Sequence, residues 1–335
     1  MECFIILIAY IKTIKKPSKG ASYFSMDKYS KNKRRNQVFN KLINTKASVL
    51  MMARIKTCGD FLAFIADKPI ENKKLAKGNF CNHRFCPMCA WRQTKKDALK
   101  IDVLMKYISI EHQKEFIFVT LTTPNVKADA LASEINKYNK DFQKLIKRKE
   151  FENFKGYIRK LEVTYNAERN DFHPHFHVIF AVNKRYFKTT EYIKHQQLLN
   201  LWRDVTGKPE ITQVDIRRIK QNENKTEVFE IATYSAKPNQ YIENGQDVFN
   251  TFYSALSGRQ LLVYSGLFAQ ANSKFKNKEL ENYKSLDENI YHWFLKYLWT
   301  GGEYLENEKR ELRPDELEKY NGKFLDQFDR TDDEE

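Results

Sequence analysis

Three of the chain's seven histidines stand at alternate positions in one short segment, DFHPHFHVIF, residues 171–180. Phe172, Pro174, Phe176, Val178 and Phe180 take the other parity. A period of two is that of a strand with one apolar and one polar face. His173, His175 and His177 therefore share a side. No other stretch constrains the fold as tightly: other elements must cover the phenylalanine side, and the imidazole side is either plain surface or a metal site.

The flanking sequence supplies the cover. FIFVTLTT (116–123) reads as a strand stopped by Pro124 and Asn125. Residues 128–148 read as a helix, with Leu131, Ile135, Tyr138, Phe142 and Leu145 spaced 4, 3, 4 and 3 apart. GYIRKLEVTYN (156–166) is a strand, NAERND a turn, and 172–182 the histidine strand. TTEYIKHQQLLNLWRDVTG predicts a helix capped by Thr189 or Thr190 and ended by Gly207. ITQVDIRRI (211–219) is a strand, and a further helix starts near Lys225. The order β-α-β-β-α-β is the α+β, split-βαβ, ferredoxin-like arrangement. Two helices would cover one face of a four-stranded antiparallel sheet, and the histidines on its third strand would point to an open face.

The neighbouring strand offers Lys160, Glu162 and Thr164 on its polar side. A hairpin turning near residues 168 and 169 sets Glu162 opposite His175; a two-residue shift sets it opposite His173. His175 and His177, with Glu162 or His173 as third ligand, suit a divalent ion that keeps positions open for substrate oxygens. Mg²⁺ or Mn²⁺ is the expected ion.

Lys and Arg number 58 against 43 Asp and Glu, a net charge of +15. Such an excess favours a polyanionic partner, most simply nucleic acid. Residues 12–46, including KNKRR (31–35), form a basic arm that is either solvated or in contact with phosphates. Four of five cysteines, Cys58, Cys81, Cys86 and Cys89, give C-x22-C-x4-C-P-x-C. Four thiolates make a closed tetrahedral site for structural Zn²⁺, with His83 an alternative to one of them. Cys3 lies outside the cluster, and the basic RQTKKD (92–97) follows it, placed to grip duplex DNA. CFIILIAYI (3–11) is too short to span a bilayer and makes a poor signal peptide, so the expected location is cytoplasmic. Met26 is an alternative start to Met1.

The segment EVFEIATYSAKPNQY (227–241), read as a helix, puts Glu230 and Tyr234 on one face, with Lys237 three residues beyond the tyrosine. Tyrosine, carboxylate and lysine beside a metal form a phosphoryl-transfer set. Tyr241, a heptad along the same helix, is the next candidate nucleophile, ahead of Tyr253 and Tyr264.

HPHFH, FVTLTTPN and E-x-x-x-Y-x-x-K together resemble three motifs of the HUH endonucleases, and more narrowly the replication initiators of rolling-circle plasmids of Gram-positive bacteria. The resemblance runs from about Cys58 to Gly266 and includes NFCNHRFCPMC, KLEVTYN and ALSGRQLLVYSG. It implies an enzyme that binds the double-strand origin and nicks one strand. Tyr234 would keep the 5′ phosphate, and the 3′ hydroxyl would prime synthesis. It implies Glu230 as activator of the water that ends the round, and His175 and His177 as metal ligands. Plasmid origin DNA, as duplex and as single-stranded nick site, is the implied partner, with host helicase and DNA polymerase; a homo-oligomer is compatible with it.

On this reading the chain divides into a basic extension (1–50), a cysteine-rich zinc module (51–110), an HUH endonuclease domain (111–245), and a mainly helical C-terminal region (246–335) closing in the acidic DRTDDEE. Three alternatives stand beside it. They are an HUH strand transferase of the transposase or relaxase kind, a zinc-containing DNA-binding regulator without activity, and a metal-dependent hydrolase of small molecules.

Overall fold

The computed structural model describes residues 26–44, 46–190, 192–219 and 225–327. The readings of CFIILIAYI, Cys3 and the acidic tail fall outside them. Within them the chain is α+β with two antiparallel sheets. The larger has five strands in the order β6-β3-β5-β4-β7: β3 (Lys114–Thr122), β4 (Gly156–Asn166), β5 (Asp171–Asn183), β6 (Val214–Ile219) and β7 (Leu262–Gly266). The smaller has the order β2-β1-β8-β9: β1 (Phe61–Asp67), β2 (Lys73–Gly78), β8 (Tyr291–Trp299) and β9 (Tyr304–Glu311).

The histidine strand is β5, at the centre of the larger sheet. Its Phe172, Phe176, Val178 and Phe180 are buried in a core with Leu131, Ile135, Tyr138, Phe142 and Leu145 of the Leu131–Leu145 helix. Leu198, Leu199, Trp202 and Val205 of the His195–Thr206 helix join the same core. Phe142 meets Tyr157 at 5.1 Å and Phe176 at 5.7 Å between ring centroids, both edge-on. Burying each such ring contributes roughly 1.5–3 kcal/mol, enough to fix which side of β5 faces the helices.

The other side of the sheet departs from the expected open face. Phe116, Phe118, Ile158, Ile179 and Ala181 lie on it, and they need cover. The long Pro87–Glu111 helix, the Lys225–Ala232 helix and the Leu267–Lys276 helix supply it through Leu104, Ile108, Ile231 and Phe268. The polar end, with Thr120, Lys160, Glu162, His175 and His177, is a recess rather than an open surface.

Three further expectations are corrected. The helix read from Thr189 or Thr190 begins only at His195, after a 3-10 turn at Tyr186–Lys188. Burial of Tyr186 and Ile193 decides this, since the Ile193 amide donates to the Tyr186 hydroxyl at 2.9 Å. Its end is as read, with Gly207 at φ +66° and its amide on the Arg203 carbonyl. The basic arm is in part a packed element: Asp27–Leu42 is a helix, and its Lys33 side chain is only 2% exposed. Lys33 pairs with Asp60 at 2.6 Å and donates to the Cys58 carbonyl at 2.9 Å. Lys31 and Arg34 of the same basic run stay exposed.

The C-terminal region holds the helices Gly245–Leu256, Leu267–Lys276 and Pro314–Tyr320, but it is not mainly helical. β7 extends the main sheet, and the β8–β9 hairpin pairs with β1. The aromatic run YHWFLKYLW favours a pleated surface, and Gly301 at φ +102° helps turn it back. Among the described residues no helix is long and apolar enough to cross a membrane.

Candidate active site

The register of the sheet builds the site. β5 is flanked by β3 and β4, so His175 stands between Thr122 and Glu162, and His177 between Thr120 and Lys160. Glu162 is opposite His175, the first of the two registers considered for the hairpin. The two Nε2 atoms converge on one oxygen: His177 lies 3.2 Å and His175 3.6 Å from Glu162 Oε2. The outer nitrogens are held separately. His175 Nδ1 faces the His173 carbonyl at 3.2 Å, and His177 Nδ1 faces Thr120 Oγ1 at 3.2 Å and Glu230 Oε1 at 3.3 Å. Donors that converge through one ring nitrogen while the other is anchored are the usual arrangement around a metal ion. The ligand atoms of Glu162, His175 and His177 all lie within 4.8 Å of one another, so the set fits a divalent ion.

All three residues are buried, at 7% exposure for Glu162, 9% for His175 and 6% for His177. Burial alone would raise the Glu162 carboxyl. The hydrogen bonds and charges of His175 and His177 outweigh it and hold the group well below the usual carboxylate range. His173 is outside the group. It sits opposite Thr164, its ring stacks on His175 at 5.2 Å, and burial keeps its pKa below the ordinary histidine value. Of the two candidate third ligands, the fold brings Glu162 to the pair.

Glu230 reaches the cluster from the Lys225–Ala232 helix. Arg217 on β6 steadies it, Nη2 to Oε2 at 2.8 Å, and also engages Glu227 at 3.3 Å and Asp215. The sequence reading took β6 as a strand without a role. Its period of two, once β6 is paired with β3, sets Asp215 and Arg217 beside Thr120 and Phe118 on the face that His177 occupies.

Tyr234 is not on that helix. The helix ends at Ala232, and Lys237 has extended backbone, φ −68° and ψ 132°, before Pro238 opens the Pro238–Glu243 helix. A proline disfavours helix at the residue before it, so Glu230 and Tyr234 do not share a helix face. Tyr241 is likewise on another helix, fully enclosed, with its hydroxyl on the Phe85 carbonyl at 2.6 Å. The tyrosine segment instead meets β4 beyond the stretch that β7 pairs, where the Val163 amide donates to the Ser235 carbonyl at 2.8 Å. That anchors half-buried Tyr234 close to the residue after Glu162. Tyr234 lines a cavity of about 120 Å³ together with Lys160, whose pKa burial holds below the usual lysine value. Lys237 is exposed.

The four cysteines form a second group. Cys58 follows the Val49–Lys56 helix, Cys81 lies in the loop after β2, and Cys86 and Cys89 cap and enter the Pro87–Glu111 helix. Cys58 is 3.6 Å from Cys86 and from Cys89, and Cys81 is 3.6 Å from Cys89. A tetrahedral tetrathiolate zinc site would set its sulfurs about 3.8 Å apart, so the set fits. Amides point at the sulfurs: Asn82 at 3.2 Å to Cys89, Cys81 at 3.4 Å to Cys58 and His83 at 3.5 Å to Cys81. His83 is not among the ligand atoms; its Nδ1 accepts from the Phe85 amide and its ring stacks on Tyr253.

A family model described as replication protein matches residues 72–305. A protein named Protein rep from Staphylococcus aureus is 52% identical over 223 residues, 66% of this chain and 97% of that relative. Proteins of the same name from Bacillus amyloliquefaciens (32% over 252 residues, 68% and 74% of the two chains) and Streptococcus pneumoniae serotype 2 (29% over 272 residues, 77% and 85%) are also similar. No solved structure matches. The chain belongs to this family of replication proteins, in keeping with the resemblance its motifs carry.

Proposed function

We propose that the protein initiates rolling-circle replication of a plasmid by nicking one strand of its origin with Tyr234. One observation carries the reading. The Nε2 atoms of His175 and His177 converge on Glu162, and the chain segment bearing Tyr234 is bonded to the very next residue of the same strand. The order β6-β3-β5-β4 supports a ferredoxin-like, split-βαβ frame with the HUH site at the polar end of its second face.

His175, His177 and Glu162 would hold Mg²⁺ or Mn²⁺, and such an ion supplies Lewis-acid neutralisation of a phosphate oxygen. Tyr234 bonds to the phosphorus through its phenolic oxygen as the bond to the 3′ oxygen breaks. The phenolic proton ends on that 3′ oxygen, leaving a hydroxyl for a host polymerase to extend, with a host helicase opening the duplex. Glu230, steadied by Arg217 and facing His177, draws the proton from the water that closes the round. The cysteine group, loaded with Zn²⁺, fixes the start of the long helix that covers the sheet.

The test is to incubate the protein with Mn²⁺ and a labelled single-stranded origin oligonucleotide. A covalent complex is expected from the parent chain and none from Tyr234→Phe. An adduct that persists in Tyr234→Phe would reassign the nucleophile. No adduct from the parent would reject nicking.

A further inference from the structure

Lys160 stands on the same face of β4 as Glu162 and directly opposite His177. It is 8% exposed, and an ammonium withdrawn from water is costly unless negative groups offset it. Yet its side chain makes no hydrogen bond or ion pair among the described residues; the charges of Asp97 and Glu162 favour the ammonium without bonding to it. Lys160 and Tyr234 both line the cavity of about 120 Å³. The remaining polar wall is Gln93, Thr94 and Asp97 of the long helix, with Thr233 and Ser235 on either side of the tyrosine. Asp97 is engaged by Gln93 at 3.0 Å. Arg84 also borders the cavity, and Nη1 of its guanidinium donates to the Leu256 and Arg259 carbonyls, each at 3.0 Å. Among the described residues lining the cavity, Lys160 is the cation with no side-chain donor bonded, and it is the one that shares a sheet face with Glu162 and His177.

We propose that this cavity seats the scissile phosphodiester and that Lys160, rather than the exposed Lys237, donates to one of its non-bridging oxygens. The proposal rests on the nicking reading. The metal-type residues do not line this cavity; Lys160, paired with His177 across the strands, is the lining residue that joins it to the histidine cluster. An ammonium already fixed in a site shielded from water stabilises developing charge far better than one that must be drawn in from solvent. Lys160 keeps all three protons while the phenolic oxygen replaces the 3′ oxygen on phosphorus; it acts by charge. Lys237, the lysine of the E-x-x-x-Y-x-x-K motif, is exposed just ahead of the Pro238–Glu243 helix, whereas β4 supplies a buried charge.

The experiment is single-turnover cleavage of a labelled single-stranded origin oligonucleotide with Mn²⁺, by the full chain and by Lys160→Met, Lys160→Arg and Lys237→Met. A parent chain that forms no Tyr234-dependent adduct rejects nicking and this proposal with it. With an active parent, Lys160→Met should form adduct about a hundredfold more slowly, Lys160→Arg should recover to within about tenfold, and Lys237→Met should lose less than about threefold. Parent-like cleavage by Lys160→Met overturns the assignment and leaves nicking intact. Should Lys160→Met fail to fold, the side-chain ammonium resonance of Lys160 in the ¹⁵N-lysine-labelled Tyr234→Phe chain decides. It should shift on adding the oligonucleotide and not on adding the same oligonucleotide with an uncharged methylphosphonate at the nick site. Equal shifts with both overturn the proposal.

Discussion

The two metal-type groups of this chain are built in opposite ways. Glu162, His175 and His177 sit on adjacent strands whose hydrogen-bond ladder already fixes their backbone, and the phenylalanines behind them lock the register. Cys58, Cys81, Cys86 and Cys89 come from a helix end, a loop and the start of another helix, with no common ladder. In the first case the fold makes the site. In the second, closing the site brings three separate pieces of chain together. The lesson is that similar donor groups answer to different experiments: emptying the cysteine group should cost the fold, and emptying the histidine group should cost only the chemistry.

The sharpest break of that contrast is Cys89→Ser. It should release the metal and lower unfolding stability by about 4 kcal/mol or more, read by metal analysis and denaturant titration. A variant that keeps its stability would make the two groups equivalent. His177→Ala should do the reverse, cutting adduct formation by a factor on the order of 10³ while changing stability by only about 1–2 kcal/mol. Unfolding of this variant would mean that the histidines hold the sheet. Glu230→Ala is expected to nick and attach normally, yet to run past one plasmid length; unit-length products would remove Glu230 from termination.

The smallest effect lies in the second sheet. Asp287 is buried, and Lys74 at 3.1 Å and Tyr291 at 2.9 Å bond to it. Burial pushes its carboxyl up, but these bonds prevail and hold it below its ordinary 3.8. A depressed folded value stabilises above the unfolded value and fades as pH falls through the folded one. Asp287→Asn should therefore cost about 1–2 kcal/mol at neutral pH, and the gap to the parent should narrow in acid. A gap that widens in acid would contradict the sign.

What the sequence disclosed follows the same division. Period-two and 3.6-residue patterns made β3, β4, β5 and the Leu131–Leu145 helix readable, because each buries one face against the other. Cysteine spacing disclosed the thiolate group. The Tyr234 segment was misread as a helix because EVFEIATYSAK has helical spacing; Pro238 and the hydrogen bond from Val163 to Ser235 override it, and the second is invisible without the fold. The covered second face was missed for a related reason. Its cover comes from residues 87–111 and 267–276, distant in sequence from the sheet they protect. The alternation of YHWFLKYLW could have announced β8; its partner β1, 237 residues earlier where Phe61 pairs with Leu298, could not have been guessed, because no local pattern spans that separation.

That pairing also sets a clock. A ribosome adds roughly 5–20 residues per second, so β1 emerges on the order of ten seconds or more before β8, the strand that completes it. Throughout that interval FLAFIAD, whose Leu62 to Ala66 are all buried in the finished sheet, offers a bare apolar edge. A nascent chain broken off before Tyr291 would keep that edge for good. Such fragments should be sticky and short-lived, and the amount of intact protein in a cell should depend on how promptly that hairpin is delivered.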